Sequence, residues 1–411
     1  MKLLVFAHVP PPYHGQSAAV RLMLDHFGGN RRKLKFRSEP PNRYGVECYH
    51  VNARLSRTLE DVGEFQLRKF DQILFYCLQA IWCRFRYGVK TLYYVPAPGK
   101  AVALYRDWMV MFLCRPFFEK IIFHWHGGGL AKWLETSAQH QTRSVTYRLM
   151  GNADVSIVLT EFGRREAEKL LPRRIAVVGN GLADPCPEFN DSILPFRETR
   201  AAVLKAILSR NAPPANSRQA VVNVLFVATC SREKGLFDAV EGVRLANQTA
   251  GERNLSLRFR LVAAGSFASR AEEMEMREFV RRHGLLNTVD LVGFISGEAK
   301  NEAFRSADIF CFPTYYPAEG QPICVAEALA FGLPVITTRW RAVPDMLPAD
   351  YPGLVDIKSP HEVAEKLLLL CATDLSSCSR DAFLRRFTLD RHLAAMSDAI
   401  RNVENMPVQH S

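Results

Sequence analysis

The sequence predicts an α/β protein built from two doubly wound, parallel-sheet domains, and three observations carry that prediction. Short apolar runs alternate with stretches of helical period along most of the chain. At 411 residues the chain exceeds what one core holds, so two domains of about 200 residues each are expected. Between about Pro185 and Arg218 it turns polar and proline-rich, ending in NAPPANSRQ, and a fresh buried-strand run, VVNVLFVA, follows. The expected organisation is an N-terminal domain at 1–195, a linker at 196–218, a second domain at 219–385 and a C-terminal helix at 386–411. Whether that helix crosses back to the first domain is left open.

Taken in order, Leu3 to His8 reads as a buried first strand and Ser17 to Phe27 as the helix after it. The opening MKLLVF is too short and ends too soon in prolines for a signal peptide. Further strand runs lie at Leu92 to Val95, Ile121 to His126, Val155 to Thr160 and Ile175 to Val178. The long apolar stretch Ala101 to Phe118 is broken by Arg106, Asp107 and Arg115, so it does not read as a membrane span. In the second half, VVNVLFVA leads into a helix through Leu236, Ala239, Val240 and Val243. Strand runs follow at Phe259 to Ala264, Val289 to Val292, Ile309 to Phe312 and Pro334 to Thr338. In such folds ligands lie at the carboxyl ends of the strands, and with two domains the cleft between them is the expected site.

Composition narrows the function. Hydrophobic residues at 48% and charged ones at 23% suit a soluble enzyme. The ten cysteines are scattered without a C-x-x-C pair, which favours reduced thiols in a cytosolic setting over disulfides or zinc. Residues 1–195 hold 27 Lys and Arg against 17 Asp and Glu, and residues 196–411 hold 26 against 25. The surplus sits in the N-terminal half, where basic residues alternate with aromatics, as in Trp82, Arg84, Phe85, Arg86 and Tyr87. A solvated helix face accounts for this, and so does attraction to an anionic membrane surface. No motif points to nucleic acid.

One carboxylate raises the sharpest question. From Pro322 to Gly332 the stretch EGQPICVAEALAFGLPVI reads as a helix apolar on every side but for Glu327. A buried lone carboxylate costs several kcal/mol unless something hydrogen-bonds it. Elsewhere, VPPPYHGQS places Gly15 before Ser17 at a helix start. SREKG puts Lys234 and Gly235 at another helix N-terminus, where a lysine opposes the dipole unless an anion binds. HWHGGG, with His124 and His126, has neither the G-x-S-x-G partner of an esterase nor a third zinc ligand at recognisable spacing, and a core histidine is the alternative. No Asp-x-Asp pair is present to clamp a metal-bound nucleotide-sugar.

These residues together resemble the retaining glycosyltransferases of family four, over nearly the whole chain. The resemblance is strongest in EGQPICVAEALAFGLPVI, whose Glu319 and Glu327 match the family's two-glutamate motif, and in Lys234 with Gly235. It implies a GT-B architecture, two Rossmann-like domains facing a cleft, and a nucleotide-diphosphate-sugar donor. By the resemblance Glu327 accepts the donor's ribose hydroxyls and Glu319 faces the sugar, with Gly320, Gln321, Pro322 and Ile323 alongside. Lys234 meets the leaving diphosphate, Gly15 lets the first loop approach it, and His126 lies near the transferred sugar. Gly265 and Gly293 to Ile295, hence Phe294, cradle the base. One position departs: Thr229 stands where the family commonly has arginine, and nearby Arg232 is the candidate substitute. The expected reaction is metal-independent, needs no cofactor, and transfers sugar with retention to a glycan or lipid-linked acceptor. Its setting is cell-surface polysaccharide or glycolipid synthesis, in the cytoplasm, peripheral on the inner membrane face. A catalytically silent nucleotide-sugar-binding protein or membrane scaffold and a nucleotide-sugar epimerase are the alternatives.

Overall fold

The computed structural model describes residues 1–11, 15–32, 43–54, 67–97, 101–209, 219–404 and 406. The chain divides into two compact units, Met1–Gly181 with Leu389–Ser411, and Leu182–Thr388.

Unit 1 runs β1 (Lys2–Phe6), α1 (Gly15–His26), β2 (Glu47–Val51), α2 (Leu67–Tyr87), β3 (Thr91–Tyr94), α3 (Ala101–Cys114), β4 (Lys120–Trp125), α4 (Leu130–Thr136), α5 (His140–Met150), β5 (Val155–Val158), α6 (Glu161–Glu168) and β6 (Arg174–Val177). Its sheet has the order β2-β1-β3-β4-β5-β6, every pairing parallel. Parallel neighbours require crossovers, which the helices supply, and burial on both faces makes β1, β3 and β5 read as mainly apolar runs. Besides Leu354–Val355 of unit 2, β2 is the strand that sequence reading lacks. Its residues, ECYHV, carry a glutamate and a histidine, yet all but Glu47 are buried, and His50 Nε2 lies 2.7 Å from the Ala7 carbonyl. Pairing with β1, not its own composition, makes this segment an edge strand.

Unit 2 runs α7 (Leu194–Leu208), β7 (Ala220–Val227), α8 (Leu236–Glu252), β8 (Leu257–Ala264), α9 (Arg270–Arg282), β9 (Val289–Gly293), α10 (Glu298–Ser306), β10 (Ile309–Phe312), α11 (Ile323–Ala330), β11 (Val335–Thr338), β12 (Leu354–Val355), α12 (Pro360–Leu370) and α13 (Ser376–Arg386). The sheet order is β12-β11-β10-β7-β8-β9, all parallel. It reverses direction between β7 and β10, the arrangement of a Rossmann fold.

The linker expected at 196–218 is corrected over its first half. Residues 194–208 form α7, begun by Pro195 in its first turn, and the chain divides at Gly181 and Leu182 instead. Residues 210–218 lie outside the described residues. Arg197 makes α7 part of the core: its guanidinium donates to the carbonyls of Phe331 (2.7 Å), Ala307 (2.8 Å) and Phe304 (3.0 Å), at the C-terminal ends of α11 and α10. Burial pulls its pKa down to about 10. The final helix, α14 (Leu389–Arg401), buries Leu393, Met396 and Ile400 in the apolar cluster that holds β1 and β5 residues, so it belongs to unit 1.

Candidate functional site

Ligands of open parallel sheets lie beyond the carboxyl ends of the strands where the order reverses. In unit 2 this places them at the loops after β7 and β10. Tyr315 N donates to the Glu233 carbonyl (2.8 Å) to join these two loops, and Cys230 N to Ser266 (2.9 Å) and Gly265 N to Gly293 (2.8 Å) tie in the ends of β8 and β9. Two glycines permit the close approach. Gly235, at φ 84°, would put a Cβ 2.2 Å from the Pro313 carbonyl oxygen, and Gly265, at φ 153°, would put one 1.8 Å from that of Ala228. Both are therefore required by loop-on-loop packing.

Within that frame Lys234 Nζ lies 2.7 Å from Glu319 Oε2. Glu319 is 7% exposed, and Thr314 Oγ1 is 2.9 Å from the same oxygen. The Lys234 ammonium also sits 4.3 Å from the centre of the Tyr316 ring. Trp340 Nε1 donates to the Tyr316 carbonyl (2.8 Å) and Thr338 Oγ1 to that of Thr314, which fixes the loop against the segment after β11. Gly320, Gln321, Pro322 and Ile323 carry the loop from Glu319 into α11, with Gln321 and Pro322 buried. The pairing of Lys234 with Glu319 joins residues 85 positions apart. A cation and a carboxylate thus sit together at the switch point, the one suited to a leaving phosphate and the other to a hydroxyl-rich substrate.

Glu327 is not the lone carboxylate that the sequence suggests. Lys300, on α10, reaches it at 2.5 Å, 27 residues away along the chain. Burial raises the Glu327 pKa, and the Lys300 charge and hydrogen bond oppose that rise. Lys300 was not legible, because nothing in the spacing of EAKNEAF marks its third residue as a partner of α11. Two results follow. If Glu327 accepts donor hydroxyls as the resemblance implies, Glu327→Ala should weaken nucleotide-sugar binding by about 1–3 kcal/mol, the cost of unpaired hydroxyl hydrogen bonds. Lys300→Met should leave burial unopposed, so that Glu327 takes up its proton at higher pH and the acid limb of donor binding moves upward. Calorimetry across the pH range reads both, and a Lys300→Met profile superimposable on that of the parent protein would refute the second.

The other expected residues fall in several places. Arg232 does not turn to Lys234's carboxylate partner: its guanidinium pairs with Glu275 on α9 and stacks 3.9 Å from the centre of the Phe237 ring, and its backbone N–H donates to Glu272 (2.8 Å). In this structure the Arg232 guanidinium is therefore engaged on the α9 side of its loop. Thr229 is exposed at the end of β7. Phe294, 70% exposed, stands just past β9 with its ring uncovered. Gly15 opens α1 of unit 1, and a Cβ there would meet nothing within 4 Å, so packing does not demand the glycine. His126 follows β4 in unit 1, its ring 4.1 Å from that of His124. Among the described residues, no three His, Cys, Asp or Glu side chains gather as a metal ion would require.

His124 is hydrogen-bonded through Nδ1 to the Tyr93 hydroxyl, and burial, then His126 and His392, push its pKa well below the ordinary value. His392, accepted by the Gly179 carbonyl at 2.7 Å, is also lowered by burial. Both pKa values are depressed on folding, so below about pH 6.5 the unfolded chain binds protons that the folded unit refuses. Stability should therefore fall as pH drops through that point, by up to about 1.4 kcal/mol per pH unit for each histidine. Urea midpoints at pH 7 and pH 5.5 measure this, and His124→Gln should flatten the dependence; equal slopes would show that these rings titrate freely.

Residues 210–380 match the family of glycosyl transferases group 1. That stretch contains Lys234, Glu319 and Glu327 but neither Gly15 nor His126. Among curated proteins, the chain is 25% identical over 166 residues to the putative colanic acid biosynthesis glycosyltransferase WcaL of Escherichia coli, 39% of each protein's length. It thus spans well under half of that relative. Among solved structures, sucrose-phosphate synthase of Thermosynechococcus elongatus aligns with 98% of this chain and all of its own at a TM-score of 0.66 and 16% identity. Anabaena HepE in complex with UDP and glucose aligns with 97% of this chain and 99% of its own at 0.61 and 14%. At such identities these likenesses establish the fold, two parallel six-stranded α/β units of the GT-B kind.

Proposed function

We propose that the chain is a retaining glycosyltransferase that moves a sugar from a nucleotide-diphosphate donor to a glycan or lipid-linked acceptor. Its setting would be the synthesis of a cell-surface polysaccharide or glycolipid, at the cytoplasmic face of a membrane. The observation that carries the reading is the Lys234–Glu319 pair at the β7/β10 switch point, inside the stretch that matches group 1 glycosyl transferases. The named relative in colanic acid biosynthesis and the HepE complex with UDP and glucose support it.

In this reading the bond from the anomeric carbon to the diphosphate oxygen breaks, a glycosidic bond to the acceptor oxygen forms on the same face, and the acceptor's proton passes to the departing diphosphate. Lys234 stabilises the charge that develops on that leaving group without a metal or cofactor. Glu319 lies along the sugar, Glu327 accepts ribose hydroxyls, and Phe294 with the backbone of Gly265 flanks the base. By the resemblance, Gly15 at the start of α1 would let the first loop of unit 1 approach a diphosphate. Thr229 and the engagement of Arg232 by Glu275 leave Lys234 as the main cation, which also keeps a silent, donor-binding protein in view.

A panel of nucleotide-diphosphate-sugars tests the reading, since ligand bound to the folded state alone raises the melting temperature. One of them should stabilise the protein and release its nucleotide only with acceptor present. Interconversion of the sugar without acceptor would mean an epimerase, and stabilisation without turnover a silent binder.

A further inference from the structure

Helix α2 carries an apolar face on each side. Inward it buries Ile73, Cys77, Ala80 and Cys83 in the core of unit 1. Outward it presents Phe70, Leu74, Phe75, Leu78, Trp82 and Phe85, and all but Leu74 expose half or more of their side chains. At about 100° per residue these six lie within an arc of about 140°. Phe117 extends the surface by an edge contact with Phe85. A contiguous outward face of this kind exceeds the scattered exposed hydrophobics of an ordinary soluble surface and marks an interaction site.

Charge decides the occupant. The helix holds Arg68, Lys69, Arg84 and Arg86 against Asp71. Nearby Glu119 is already neutralised by Arg84 at 3.2 Å and Lys90 at 3.0 Å. Unit 1 contains 29 Lys and Arg against 17 Asp and Glu, while unit 2 contains 24 against 25, so the entire positive surplus of the chain belongs to the unit that carries this face. Such a surface repels a second copy of itself and attracts an anionic one. No helix of the described residues is long and apolar enough to cross a membrane, but α2 has the make-up of a helix that lies in the interface, with aromatic side chains in the headgroup layer and cations at its margins.

We infer that the outward face of α2 docks unit 1 onto an anionic phospholipid bilayer. The inference rests on the proposed membrane setting of the transfer and assigns that setting to particular side chains. Trp82, 51% exposed on that face, enters the acyl boundary, while Arg86 at its margin meets lipid phosphates.

The full chain should co-sediment with vesicles of phosphatidylglycerol and phosphatidylcholine in equal parts, far less with pure phosphatidylcholine, and less at 1 M salt, where the Debye length shrinks to about 3 Å. Leu78→Glu with Phe85→Glu should lower the vesicle partition at least about tenfold while leaving nucleotide-sugar stabilisation unchanged. The milder Trp82→Phe, which keeps an aromatic ring on the face, should abolish the blue shift of tryptophan emission that vesicles induce in the parent protein. Full sedimentation of the doubly charged variant, a blue shift retained in Trp82→Phe, or a dimer in light scattering that the doubly charged variant dissolves would overturn the assignment. Absence of any nucleotide-sugar binding would defeat the transferase reading instead, and leaves the vesicle result standing on its own.

Discussion

Lys234→Ala should lower turnover of the proposed transfer by about 10²-fold or more, since one pre-positioned donor to a developing oxyanion is worth about 2.7–4 kcal/mol. The geometry makes the loss hard to compensate. Lys234 reaches the switch point from the loop after β7, held by Gly235, while the nearest arginine in sequence, Arg232, is committed to Glu275 and the Phe237 ring. Arg232→Ala should accordingly cost far less than Lys234→Ala. Thr229→Arg, at an exposed position, should leave activity equal or higher, because it adds a second cation where the resembling family has one. Initial rates of nucleotide release, at saturating acceptor, separate the three variants. Undiminished turnover in Lys234→Ala would remove the leaving-group role from this lysine altogether. A collapse in Thr229→Arg would mean that the threonine is adapted to the site.

The second large effect concerns stability. Arg197→Met should destabilise unit 2 by about 3 kcal/mol or more, from three buried carbonyls losing their donor at about 1–3 kcal/mol each. The methionine keeps much of the apolar stem, so the deficit reports the guanidinium rather than a cavity. Its three acceptors, Phe304, Ala307 and Phe331, lie where α10 and α11 end, and helix C-termini present carbonyls with no partner inside the helix. Urea unfolding of the variant should show a lower midpoint for the transition of unit 2. An unchanged midpoint would mean that water replaces the arginine at no cost. Because α11 begins beside Glu319 and carries Glu327, loosening its far end should also weaken donor binding, and calorimetry on the folded variant tests that link.

Residues whose role depends on local pattern were legible from sequence. Alternating apolar runs and helical periods named ten of the twelve strands among the described residues, because a strand buried on both faces must be apolar throughout. The limits of α11 followed from Pro322 and Gly332, the one a helix start and the other a left-handed stop at φ 65°. Lys234 stood out as a cation at a helix start, and Glu319 and Glu327 as carboxylates flanking an apolar helix. What escaped depends on neighbours distant in sequence. The strand Glu47–Val51 exists because β1 offers it a partner, and α7 looked like a linker because a buried arginine and a proline resemble loop composition until the carbonyls they meet are known. The same limit governs the site. Sequence determined which groups carry charge near α11, while only the tertiary structure decided their pairing, Lys234 with Glu319 and Lys300 with Glu327, and the turning of Arg232 to Glu275. The physical reason is that an ion pair is set by distance in space, falling off over a few ångströms, and spacing along the chain does not encode which loops the sheet order brings side by side.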